Sequence, residues 1–204
     1  MKNLFKIIQR IFCGFLINLI CVNIWASEVT DGCYVCHGKQ GNSAEPSIPS
    51  IAGMSEGYLI DAMIVYKDRI RPCVKTQFPS GPDSATQTDM CKIADNLSNT
   101  EIQSLATYYA EQEYIPAKQD FDADRAARGK KLHLSACEKC HEDGGSVAED
   151  DAGFLAGQWA PYLRQTLEHF QAGTRASPQK MKPTVDALSA EDIEYLLHYY
   201  SSLQ

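Results

Sequence analysis

CYVCHG at residues 33–38 and CEKCHE at residues 137–142 set two cysteines three apart with a histidine directly after the second, twice in one chain. The two units lie 104 residues apart, and the same offset carries IAGMSEGYL (51–59) onto LAGQWAPYL (155–163) and Arg71 onto Arg175. Farther on, MCKIADNLSNTEIQSLATYY (90–109) aligns with MKPTVDALSAEDIEYLLHYY (181–200) at an offset of 91, so the first copy carries 13 extra residues between Arg71 and Met90. Three motifs in register at one period mean two homologous domains. The extra residues include PSGPDS, a turn-rich stretch that reads as a surface loop.

Each copy reads as helical. Residues 56–70 and 160–172 place apolar side chains at three-to-four spacing, as do 99–112 and 190–203, where Ser98 and Ser189 stand as N-caps. Strand signals are nearly absent, so the fold class is all-α. EYIPAKQDFDAD flips from apolar to charged around a proline and separates the copies. The expected organisation is a signal peptide over 1–26, domain 1 over 27–112, a linker over 113–124 and domain 2 over 125–204.

The first residues point to export. Lys2, Lys6 and Arg10 precede the apolar run IFCGFLINLICVNIWA, which ends in a small residue before polar SEVTDG. The run is shorter than the roughly 20 residues of a spanning helix, and Asn18 and Asn23 interrupt it, so cleavage near Ala26 is expected and the mature protein carries no membrane span. Cleavage removes three cations and no acid, taking the formal charge from −7 to −10. Such a surface repels phosphate backbones, which gives nucleic-acid binding no electrostatic support. In an oxidising periplasm each remaining cysteine needs a partner or a cofactor.

Three chemistries use such cysteines. A tetrahedral zinc site needs four ligands, and a histidine abutting Cys140 does not easily join both cysteines on one ion. A thioredoxin-like pair belongs among alternating strands and helices, which this chain lacks. Covalent haem attachment fits: two cysteines three apart meet the two vinyl groups, and the next residue reaches the iron. Two c-type haems are therefore expected, bound through Cys33 and Cys36 and through Cys137 and Cys140, with His37 and His141 as proximal ligands. Beyond Met1 the methionines are Met54, Met63, Met90 and Met181, and Met90 and Met181 correspond across the copies, which makes them the expected distal ligands. Histidine–methionine ligation fills the coordination sphere and favours electron transfer over catalysis at iron, so the chain is not expected to be an enzyme. Cys73 and Cys91 bracket the insertion, and a structural disulfide is expected there, with a redox switch or two free thiols as alternatives. Pro49 lies beside the proximal histidine or merely ends a loop; Arg71 and Arg175 serve haem propionates or end helices in solvent. His133, His169 and His198 have no histidine counterpart in the first copy and read as surface or satisfied helix residues.

With these residues placed, the chain resembles the dihaem cytochromes c of the cytochrome c4 type across both halves. The resemblance implies two tandem class I cytochrome c domains with nearby haems. YIPAKQDFD, GKKLHLSACEKCHEDGG and LAGQWAPYL are further similar to the cytochrome subunit of flavocytochrome c sulfide dehydrogenase. That likeness implies a periplasmic FAD flavoprotein partner that oxidises sulfide and hands electrons to these haems, first to domain 1, with a soluble cytochrome or oxidase as acceptor. The alternative is a free-standing shuttle to a terminal oxidase. The cysteine-bracketed insertion departs from the subunit's pattern, and domain 2 has no proline matching Pro49.

Overall fold

Helices form where the apolar spacing asks for them, and their ends are set by local chemistry. A computed structural model describes residues 32–79 and 85–204; the expected signal peptide and the start of domain 1 lie outside the described residues. Domain 1 contains α1 (32–37), α2 (Glu56–Lys67), α3 (Met90–Asp95) and α4 (Asn99–Ala110). Domain 2 contains α5 (Ala123–Ala136), the single turn α6 (Glu142–Gly145), α7 (Ala160–Gln171), α8 (Lys182–Ala187) and α9 (Ala190–Ser202). The final helix of each copy starts in a capping box: Ser98 and Glu101 begin α4, Ser189 and Asp192 begin α9. No described helix is long and apolar enough to cross a membrane.

The insertion departs from an all-helical reading. β1 (Thr76–Gln77) and β2 (Gln87–Thr88) pair antiparallel, Thr76 opposite Thr88, and Cys73 is bonded to Cys91 just outside them with Cα atoms 5.5 Å apart. Two residues per strand carry no readable alternation, so a closed loop end, not a periodic pattern, forms this ribbon.

Equivalent hydrogen bonds make the repeat visible. Ile51 N–H donates to Gly41 O at 2.7 Å and Leu155 N–H to Gly145 O at 2.8 Å; Gly53 N–H reaches Tyr109 O and Gly157 N–H reaches Tyr200 O. The first of each pair closes the loop after an attachment motif on itself, and the second ties that loop to the last helix of its own domain. The core of domain 2 joins Leu163 of α7 to Ile193, Leu196, Leu197 and Tyr200 of α9. There α5 crosses α9 so closely at Gly129 that a Cβ would stand 1.9 Å from Tyr195 O, which excludes any side chain. The core of domain 1 joins Leu59, Leu105, Ala106 and Tyr109, and Phe154 of domain 2 packs into it.

Polar groups lock the domains together. Gln158, fully buried, accepts the Ser50 N–H at 3.0 Å and donates its amide to Ser50 O at 2.9 Å, completing the backbone valences of a buried residue. Trp159 Nε1–H donates to Ser43 O, and Tyr162 N–H to Pro46 O. The segment from Ser43 to Ser50 is thus held from across the interface, next to the first attachment motif.

Candidate haem sites

In domain 1 the expected site residues meet at one cavity. Cys33, Cys36 and His37, on α1, line it with Met90, the first residue of α3. Much of the remaining wall is apolar, with Ile48, Leu59, Leu105 and Ala106 among its residues. Met54 and Met63 border the same cavity, so geometry alone offers three thioethers and the repeat singles out Met90. Met90 is pinned from both sides: Asp89 caps α3 by accepting from Lys92 N–H, and Cys91 is in the disulfide.

His37 is buried, and its Nδ1–H donates to Pro49 O at 2.9 Å. That bond fixes the tautomer and leaves Nε2 with its lone pair, the arrangement of a metal-ligating histidine. Burial holds the imidazole below its usual range, with the Pro49 bond opposing and the Arg71 charge assisting, so the neutral, ligating form is favoured. Pro49 is therefore a neighbour of His37, the expected proximal ligand, and more than a loop end.

Burial pushes Cys33, Cys36 and Cys137 upward from the ordinary cysteine range. A working redox pair needs the opposite shift, since the thiolate is the nucleophile. The cavity and the orientation of His37 fit a covalently attached haem.

Domain 2 repeats the chemistry with a different frame. Cys137, Cys140 and His141 occupy the turn that ends α5. His141 Nδ1 is buried and finds no partner among the described residues, and Gly153 stands where the first copy has Pro49. Burial also lowers the His141 pKa, with the His133 charge assisting and Asp150 opposing. Met181 is half-buried at the N-cap of α8, and no described contact joins it to His141. The last helices are used alike: Tyr109 opposes the effect of burial on Cys33, and Tyr200 does so on Cys137.

Two features lie beyond what spacing reveals. His133 is fully buried behind the second motif, with Nδ1 3.1 Å from Tyr200 Oη and Nε2 2.7 Å from the Glu138 carboxylate and 3.1 Å from His141 O. It is a satisfied core residue and not a surface one. The first cavity also has a wall from the second domain: Tyr162, Thr166, His169 and Arg175 line it. Arg71, 7 % exposed, donates to Tyr162 Oη at 2.8 Å and lies over the Tyr66 ring. Burial would raise the Tyr162 pKa, but Arg71 and Arg175 hold it down to about 8. Arg71 is thus no solvated helix end.

Comparison with known proteins agrees with this architecture. The family model described as cytochrome C oxidase, cbb3-type, subunit III matches residues 124–199. The chain is 30 % identical over 183 residues to a cytochrome c4 of Thiocapsa roseopersicina, covering 84 % of this chain and 86 % of the relative. It is 28 % identical over 165 residues to the thiosulfate dehydrogenase electron acceptor of Thiomonas intermedia, covering 74 % and 69 %. The crystal structure of reduced recombinant cytochrome c4 from Pseudomonas stutzeri matches with a TM-score of 0.70 at 27 % identity, over 88 % of this chain and 97 % of that one.

Proposed function

Since the chain belongs to the cytochrome c4 family, all-helical electron-transfer proteins with two class I cytochrome c domains and two covalent haems c, we propose that it is an exported, free-standing dihaem shuttle. Bound haem supplies one-electron iron chemistry; the chain supplies everything that directs it. Cys33 and Cys36 would hold the first haem and Cys137 and Cys140 the second, as thioethers. His37 and His141 would supply the histidine ligands, and Met90 and Met181 the thioether ligands that leave the irons closed to substrates. The observation that carries this reading is the cavity where Cys33, Cys36, His37 and Met90 converge while Pro49 turns the imidazole for ligation.

The partners follow from charge and from the relatives. The acidic surface suits basic docking patches on donor and acceptor, a terminal oxidase or a soluble cytochrome among the acceptors. A second reading makes the chain the acceptor subunit of a sulfur-compound dehydrogenase. It is supported by the Thiomonas intermedia relative, named as the electron acceptor of thiosulfate dehydrogenase, and by the motif likeness to the cytochrome subunit of flavocytochrome c sulfide dehydrogenase, whose partner is a FAD flavoprotein. Affinity capture of the holoprotein from its own periplasm separates the two. A shuttle elutes alone and is oxidised by membranes; a subunit elutes with about one equivalent of a dehydrogenase, and sulfide or thiosulfate then reduces its haems.

A further inference from the structure

The two histidines expected on the irons are held by different groups. In domain 1 the ring itself is held, His37 Nδ1–H donating to Pro49 O at 2.9 Å. In domain 2 Gly153 stands at the position of Pro49, and His141 Nδ1 has no partner among the described residues. What is held there is the main chain. His141 O accepts from Gly145 N–H at 3.1 Å and lies 3.1 Å from Nε2 of His133, a residue of α5.

His133 is itself fixed from several directions. The two groups at Nε2, the Glu138 carboxylate at 2.7 Å and His141 O, only accept, so the ring proton sits on Nε2 and is shared between them. Nδ1 is left to accept from the Tyr200 hydroxyl at 3.1 Å. The Tyr199 and Tyr200 rings, with centroids 5.3 and 5.6 Å from that of the imidazole, wedge it against α9. His133 O takes the N–H groups of Cys137 and Glu138 at 2.8 and 3.0 Å. The other carboxylate oxygen of Glu138 accepts from the N–H of Asp143 at 3.4 Å, a residue in the left-handed region (φ 50°) just past His141. One histidine and one carboxylate therefore grip the attachment turn from Cys137 to Asp143. At the offset of 104 the first copy has Val29 and Tyr34 in their places, so it lacks both groups.

A phenyl ring would fill the space of His133 without the desolvation cost of two ring nitrogens, so what the imidazole adds is the bonds it makes to the turn. Taking the dihaem reading as given, we infer that His133 and Glu138 are positioning residues for the second haem. They hold the main chain of His141, and through it the plane of the ligating imidazole, as Pro49 holds the ring of His37. Partners that sit behind a ligating histidine orient it in this way. Both residues act by geometry alone, and neither exchanges a proton or an electron in this role.

The test is proton NMR of the oxidised holoprotein, in which the methyl resonances of each low-spin ferric haem are displaced according to the plane of its axial imidazole. Overhauser contacts to neighbouring side chains assign each set to its domain. The haems are counted first, from the masses of the peptides that carry Cys33 with Cys36 and Cys137 with Cys140. A count other than one on each overturns the dihaem reading itself, and is told apart from failure of the inference because it precedes the spectra. His133→Phe, which keeps a ring beside Tyr199 and Tyr200, and Glu138→Ala, which truncates a half-buried side chain, are each expected to shift the domain 2 set and to leave the domain 1 set in place. His133→Gln and Glu138→Gln, which restore a donor and an acceptor, are expected to bring the set back towards wild type. An unmoved domain 2 set in His133→Phe and Glu138→Ala, even with a lowered Tm, overturns the inference and leaves His133 a core residue only; an equal shift of both sets overturns it as well. If His133→Phe does not fold, Glu138→Ala and its glutamine counterpart carry the same decision.

Discussion

Removing the Cys73–Cys91 bridge is expected to loosen domain 1 at its distal ligand while leaving domain 2 intact. The bond joins residues 18 apart, a closure that the chain-entropy relation values at about 3 kcal/mol. Cys91 is buried and directly follows Met90, so the bridge constrains the unfolded chain and also holds the thioether at the cavity wall. The perturbation is Cys73→Ser with Cys91→Ala, which avoids burying an unsatisfied hydroxyl. Guanidinium unfolding followed at the haem bands should show the domain 1 transition moving down by roughly 0.5 to 1.5 M, from typical denaturant slopes. Trp159, the only tryptophan in residues 27–204, reports the interface in the same experiment. The sulfur-to-iron charge-transfer absorption should weaken for one haem before global unfolding. An unchanged midpoint with both sulfur bands intact would refute the reasoning.

Further outcomes follow from other contacts. Gly129→Ala puts a methyl 1.9 Å from Tyr195 O, so α5 must move off α9; a loss above the ~1–3 kcal/mol of ordinary overpacking is expected in thermal unfolding, and a wild-type Tm would contradict the crossing. Met181→Ala is expected to lower the potential of the second haem and to open its iron to carbon monoxide, and an unaltered spectrum would reassign the ligand. The Asp192 pKa is lowered chiefly by the Ser189 hydroxyl and also by its backbone N–H. A carboxylate depressed in the folded state adds stability that is fully present above its unfolded value, roughly 3.9, and is lost as pH falls through the folded value. Asp192→Asn should therefore be less stable than wild type at neutral pH and should lose less on acidification below about pH 4; parallel acid limbs would rule out this contribution.

Much of the framework is legible in the chain because it is carried by local signals. Ser98 and Ser189 announce helix starts through a hydroxyl and an acid three residues on, and α4 and α9 begin there. The paired C-x-x-C-H units name the attachment residues because their chemistry depends on spacing within one turn. What stays hidden depends on residues brought together from far apart. Gln158 completes Ser50 from 108 positions away, and Arg71 meets Tyr162 from 91 away, pairings that no periodicity encodes. For His133 the sequence leaves a surface and a satisfied helix residue both open, and the choice is made by Glu138 and Tyr200, which satisfy both ring nitrogens in the core. The β1–β2 ribbon escapes for a different reason: two residues per strand are too few for an alternating pattern, and a covalent bond outside the strands closes it.

A haem count combined with a carbon monoxide difference spectrum, on protein matured in a host with the c-type attachment machinery, bears most directly on the reading of this chain as a closed dihaem electron carrier. Two covalent haems per chain are expected, one on Cys33 and Cys36 and one on Cys137 and Cys140, with neither reduced iron binding carbon monoxide. A single haem, or a carbon monoxide adduct on either iron of the native protein, would contradict it.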